Sequence, residues 1–296
     1  MSNFMLTPER FSSAAQKVDT STTAGAGEAT SSSVSDRLST QRIDLPTPDV
    51  GTYGGPGFGS EVMTVAGTAR IASLLLACIA GAAAVGWQVV KVTETTIPGS
   101  FGSPDTVSRD VSVNPLVFVA FILAFGLVLF TSFKPGYAPF TSVPYALAEG
   151  FVLGAVSHLF EADSSGIVLQ ALIGTLAVFL GILFAYSTGL LRATPKFRRM
   201  VIMATFGIMC VYIVSFVGAL LGFDISFWNQ SGMVGVGISL FVCAIAALNL
   251  VLDFDLIEQG AARGFPKQME WYAAFGLVVT LVWLYLEILR LLSRRD

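Results

Sequence analysis

"VGVGISLFVCAIAALNLVLDFDLI", residues 234–257, runs without a charge until Asp253 and Asp255 interrupt its end, and Glu258 and Gly260 follow. A helix crosses the hydrocarbon core of a bilayer with about 20 apolar residues. The stretch is long enough to span, and a carboxylate inside a span is costly. The helical period separates the two aspartates, which point about 200° apart. Asn249 lies one turn before Asp253 and shares its face, with Ala246 and Val242 continuing it. Asp255 lies instead on the face of Glu258 and Gln259. Asn249 and Asp253 are therefore expected to face the protein interior. Asp255 and Glu258 are expected at a cytoplasmic rim, where basic loops can pair with them. Gly260 is expected to be the C-cap of this helix.

The rest of the chain repeats the pattern. Of its 296 residues, 54% are hydrophobic and only 12% charged, about half the charge share of a soluble domain. Seven segments qualify as helical spans: 65–90, 116–133, 143–162, 167–187, 200–222, 234–257 and 271–292. Turn signals separate them: "IPGSFGSPD" in the first loop, "KPGYAPFTSVP" in the second and "ATPKFRR" in the fourth. The third connection, "EADSSG", is short enough to make spans three and four a tight antiparallel hairpin. The fold class expected is an all-α membrane protein of seven transmembrane helices occupying 61–296. Residues 1–60, rich in Ser, Thr and Gly with almost no aliphatic clusters, are expected to be a disordered tail. Cys78, Cys210 and Cys243 all lie inside apolar segments and read as small hydrophobes. "NQS" at Asn229 fits a glycosylation acceptor, a match better explained by chance.

Lys and Arg set the orientation. Loops 134–142, 188–199 and 258–270 hold Lys134, Arg192, Lys196, Arg198, Arg199, Arg263 and Lys267. The opposite loops hold only Lys91 and Arg109. The N-terminus is thus expected in the cytoplasm, with the tail "RLLSRRD" as the misfit.

Spans two, four and five carry no ionisable side chain in their interiors, whereas one, three, six and seven do. The segregation predicts a polar interior lined by those four. At 1.5 Å per residue, Glu149 and Asp253 both lie about 10 Å from the cytoplasmic end. Arg70 and Thr280 fall near the same depth, and His158, Glu161 and Glu287 form a second layer near the outer face. Several admit a plainer reading. Arg70 and Glu287 could snorkel to an interface, His158 could be satisfied between helices, and Arg290 reads as an interfacial anchor. Glu149 and Asp253 resist it, because short acidic side chains snorkel poorly.

Enzyme classes fit badly. The two aspartates of one helix point apart and no GxGD occurs, which excludes the intramembrane aspartyl protease pattern. The single histidine has no serine motif beside it, and span seven has no lysine for a Schiff base. Neither a cofactor nor a nucleic-acid partner is expected.

"ALAEGFVLGAVSHLFE" (146–161), "TPKFRRMVIMATFG" (194–207), "ALNLVLDFDLIEQG" (247–260) and "EWYAAFGLVVTLVWLYLEILRLL" (270–292) resemble the Bax inhibitor family, in its bacterial YccA-like branch with a long N-terminal tail. The resemblance covers roughly residues 60–292. It implies a last helix central in the bundle and wrapped by the others, in a bacterial inner membrane. It also implies a pH-sensitive calcium leak, in which an aspartate of helix six pairs with one of helix seven and protonation loosens a cytoplasmic-side closure. Asp253 matches the helix-six aspartate and Glu149 the family's "EG" element. The helix-seven position is Thr280, so the usual pair is missing. Two candidates stand for that place: Glu149, if spans three and six touch, with Asp253 and Glu149 transiently meeting calcium as a permeant ion, or Arg70 as an internal counter-ion. Two alternatives stand beside each other: a leak channel gated by Asp253, Glu149 and Thr280, or a regulatory protein acting in stress response or on membrane proteolysis with an AAA protease as partner.

Overall fold

The computed structural model describes residues 61–97, 106–222 and 232–294. The tail 1–60 and the Asn229 sequon lie outside the described residues. Seven helices are long and apolar enough to cross a membrane: α1 (Val65–Val89), α2 (Leu116–Phe133), α3 (Ala138–Asp163), α4 (Ile167–Ser187), α5 (Pro195–Leu220), α6 (Met233–Ala262) and α7 (Gln268–Ser293). Helices α1, α3, α4 and α6 all pack against α7, which is the most buried of the seven. Helix α2 packs on α3, and α5 mainly on α6. Seven crossings put residue 61 and the α2–α3, α4–α5 and α6–α7 corners at one end of the bundle, here the N-side. The described C-terminal residues lie at the other.

Four element boundaries differ from expectation, each for a local reason. The first connection is a hairpin, β1 (Lys91–Ile97) against β2 (Thr106–Ser112), paired antiparallel from Lys91↔Ser112 to Ile97↔Thr106. Its strands, "KVTETTI" and "TVSRDVS", are rich in β-branched residues, which favour a pleated backbone. Helix α3 begins five residues early, after a 3₁₀ turn at Pro135–Tyr137, and takes Pro139 into its first turn and Pro144 into its interior. Proline is tolerated at a helix start because the N–H it lacks has no partner there. Helix α5 also starts five residues early, at Pro195, with the Thr194 hydroxyl accepting from Phe197 N at 3.3 Å.

The fourth difference concerns Gly260, which is inside α6 rather than its cap. The helix ends on Arg263, and Gly264 takes the left-handed conformation at φ 66°. Phe265 N donates to Gly260 O at 3.0 Å and Gly264 N to Ala261 O at 3.2 Å. That pair of bonds is a Schellman motif, which satisfies the last carbonyls. Gly260 is small because Met63 occupies its side; a Cβ there would stand 2.7 Å from Met63 Sδ.

The closest helix contact is between α1 and α3. A Cβ at Gly150 or Gly154 would overlap the α1 backbone at Ile79 and Ala83, and one at Gly86 would overlap Phe151 of α3. Lipid tails are as apolar as leucine, so membrane helices associate through close packing, and glycines four apart allow it. Substituting Gly154→Val should therefore lower the unfolding temperature in detergent sharply, at a cost of about 3 kcal/mol or more. Gly126→Ala, where a Cβ meets nothing within 4 Å, should leave it unchanged.

Candidate functional site

Asp253 lies on α6 where it meets α7. Its Oδ2 is shut from solvent and has no hydrogen-bond partner. A Cβ added at Gly276 of α7 would stand 3.7 Å from its Oδ1. The Thr280 hydroxyl, one turn further along α7, is its hydrogen-bonding neighbour. That hydroxyl also donates to Gly276 O at 3.1 Å. One proton therefore faces two acceptors. Gly276 lets α6 approach here, and Thr280 supplies a hydroxyl.

Glu149 is half-buried on α3, one turn from the buried Tyr145, with which it interacts electrostatically. It is not among the charges acting on Asp253, nor Asp253 among those acting on it. The expected Glu149–Asp253 pair is thus not formed. Among the described residues, no group of three or more His, Cys, Asp or Glu is placed to hold a metal ion.

Arg70 is exposed and does not enter the interior. The buried stripe of α1 runs through Thr68, Ala72, Leu75 and Ile79, and Arg70 falls about 200° from both Thr68 and Ala72. It is not a counter-ion to Asp253. Asn249 also departs from expectation. Its amide nitrogen donates to Thr205 Oγ1 of α5 and to Ile245 O, each at 2.8 Å. It joins α6 to α5 instead of continuing the Asp253 face.

Asp255 is buried at the N-side end of α6, paired with Arg198 at 2.9 Å and accepting from Gln259 at 2.7 Å. Glu258 accepts from the Tyr186 hydroxyl at the end of α4. Above them, the segment before α1 is stitched to the α6–α7 corner. Met63 N donates to Phe265 O at 2.7 Å, Lys267 N to Glu61 O at 3.1 Å, and Lys267 pairs with Glu61. Glu270, only 4% exposed, accepts from Thr64 N at 2.8 Å and from the Thr64 hydroxyl at 2.9 Å. A carboxylate placed at a helix N-terminus complements its unpaired N–H groups and its dipole.

Toward the opposite end, Glu287 is 2% exposed and accepts from the Tyr212 hydroxyl of α5 and from Arg290 at 3.1 Å. The Arg290 guanidinium also bonds the Tyr212 hydroxyl at 3.0 Å and stacks on its ring at 5.5 Å. Arg290, half-buried, is therefore tied to the buried Glu287 and is more than an interfacial anchor. At similar depth, Ser157 and Tyr285 share a 2.7 Å hydrogen bond between α3 and α7. His158 stacks on Trp87 at 4.8 Å, with its Nδ1 buried and unpartnered. Glu161 caps α4 by accepting from Gly166 N at 2.6 Å and Val168 N at 3.1 Å.

Sequence reasoning passed over Tyr212, Tyr285 and Glu270. The two tyrosines were hidden because a hydroxyl adds little polarity to a span. Glu270 sits at a helix start, where acidic residues are common.

A family model described as "Bax inhibitor 1 like" matches residues 8–295. No match was found among curated proteins, and none among solved structures.

Two predictions test the cluster and the stitch. Arg290→Gln should destabilise the fold by about 3 kcal/mol by leaving Glu287 buried and unpaired. Adding Glu287→Gln should recover part of that loss in a double-mutant unfolding cycle. Glu270→Ala should cost about 1 kcal/mol, read as faster amide exchange over residues 64–68 with exchange in α3 unaltered.

Proposed function

The chain belongs to the Bax inhibitor family, and from that premise we propose that it is a cation leak channel for calcium, in a closed state, with Asp253 at the gate. One observation carries the reading: a carboxylate oxygen buried at the α6–α7 contact with no partner. An unpaired charge at membrane depth is costly and marks ion or proton pathways. When α6 and α7 part at Gly276, water and a cation gain the Asp253 carboxylate. Carboxylate and backbone oxygens suit hard Ca²⁺ as cargo. When the helices close, Thr280 is the group left to meet Asp253. Glu149, on α3, is a second carboxylate that the opened path can reach. The membrane proposed is the bacterial cytoplasmic one, with the N-terminus in the cytoplasm, as the Lys and Arg bias favours.

A second reading, a regulator of membrane proteolysis or stress response without conduction, is favoured by the stitch at residues 61–64. Any partner that draws on the preceding tail acts directly on the α6–α7 corner. Deleting residues 1–60 separates the two. A lost cellular phenotype with calcium flux intact favours regulation.

The decisive measurement is calcium entry into proteoliposomes between about pH 6 and about pH 8. The expected outcome is a pH-dependent flux whose dependence flattens in Asp253→Asn and changes in Glu149→Gln. Absence of flux at every pH removes the channel reading. Flux indifferent to Asp253→Asn removes this aspartate from the gate.

A further inference from the structure

We propose that residues 61–64 are a strap across the α6–α7 corner that holds the α6–α7 contact at Asp253 closed, and that drawing the strap off lets this contact open. The inference rests on the reading of Asp253 as the gate and names what regulates it.

The strap is an extended segment paired with the corner. Val62 and Pro266 face each other in an antiparallel bridge. Met63 N donates to Phe265 O at 2.7 Å and Lys267 N to Glu61 O at 3.1 Å, one bond on either side of that pair. Pro266 has no N–H to give, and its place between the two bonds asks none of it. The side chains complete the seat. Met63 is 2% exposed and occupies the space that a Cβ at Gly260 of α6 would need. Glu61 pairs with Lys267. The Thr64 N–H and hydroxyl both donate to Glu270 in the first turn of α7. Gly67 leaves room for that carboxylate, which a Cβ there would overlap.

These contacts exceed what an entry to α1 requires. The N-cap bond is local, with the Thr64 hydroxyl accepting from Gly67 N at 3.0 Å. A staple that fixes a helix entry locally needs an apolar residue at the fourth helical position, where α1 has Thr68. Met63 is seated on α6 instead. The strap thus grips one arm of the α6–α7 hairpin through Met63 and the other through Thr64. Gly260 lies two turns beyond Asp253, and Glu270 lies nearly two turns before Gly276, so each grip is about 10 Å from the gate. The splay of the two arms at their corner sets how closely they meet there. Of the four strap residues Met63 alone is buried; Glu61, Val62 and Thr64 are exposed. A segment held by one buried side chain and a few surface bonds comes away without unfolding the bundle. The chain before residue 61 leads straight onto it, so a partner bound there pulls on Glu61 first.

The test locks and frees the strap in the full chain, reconstituted in proteoliposomes. Facing Cα atoms of such a bridge lie about 4.5 Å apart, within reach of a disulfide. Calcium entry through Val62→Cys/Pro266→Cys should be about fivefold slower oxidised than reduced, while the wild type is indifferent to the same oxidant and reductant. Entry through Met63→Ser should be about fivefold faster than through the wild type. Amide exchange over residues 250–257 and 276–280 should slow on oxidation of the lock and quicken in Met63→Ser, with exchange in α3 unaltered. If Met63→Ser does not fold, the two redox forms of the lock carry the test on one protein. Conduction that neither the lock nor the release alters overturns the strap and leaves the leak reading standing. Exchange changes confined to residues 61–68 also overturn it, leaving the segment an anchor for α1. No calcium entry in any form, with exchange at the gate still following the lock, removes the leak reading and supports the strap.

Discussion

The polar side chains of α7 are tied, one after another, to different helices. Glu270 holds the start of α1 through Thr64. Thr280 meets Asp253 of α6, Tyr285 bonds Ser157 of α3, and Glu287 bonds Tyr212 of α5. In hydrocarbon an unsatisfied polar group costs several kcal/mol. Each of these groups therefore has a partner in the protein or a reason to lack one. Apolar packing brings α7 against α1, α3, α4 and α6 but leaves its rotation about its own axis loosely specified. The polar ties at successive depths fix that rotation. They also make α7 the element through which a change at one helix is felt by the rest.

Two different devices hold the other helices. Helices α1 and α3 meet through Gly86, Gly150 and Gly154, where backbone touches backbone. That contact is long and dry and depends on the absence of three side chains. Helix α5 is attached differently, by a smaller apolar cluster of Ile208 with Val242 and Ile245 and by polar groups at three depths. Small membrane interfaces gain from dispersion, while hydrogen bonds between helices gain less than their number suggests, about 1 kcal/mol each. The α1–α3 pair is thus the firm part of the bundle and α5 the part most readily shifted. The proposed gate at the α6–α7 contact adjoins the loosely held side.

Much of this was legible in the sequence because the bilayer imposes a length. The seven spans follow from apolar runs, and α2 and α4 have the expected limits. Burial of carboxylates on α6 and α7 was also legible, but the helices that meet them were not: Arg70 of α1 is exposed, and α5 supplies Arg198 and Tyr212 instead. The ends of helices were not, because Pro139, Pro144 and Pro195 read as breaks although two of them occupy a first turn where proline fits. Gly260 read as a cap although its role is to admit Met63. Arg70 was misplaced because depth alone says nothing of direction; the spacing of Thr68, Ala72, Leu75 and Ile79 does. Asn249 shares a helix face with Asp253, but a neighbouring helix decides which side chain a broad face meets.

A threonine at position 280 gives the Asp253 contact a different chemistry from that of two facing carboxylates. Two facing carboxylates share one proton, and the bond between them exists only while that proton is held. A threonine hydroxyl keeps its proton at every accessible pH, so the Asp253–Thr280 contact does not vanish when a proton leaves. Its weakness lies elsewhere, in competition. When the hydroxyl turns to Asp253 it releases Gly276 O, and when it returns to Gly276 the carboxylate is left bare. Gly276 has no side chain to shield either acceptor from water. The hydroxyl is therefore shared between two acceptors on facing helices. Which of them it serves decides whether the carboxylate faces a donor or an opening.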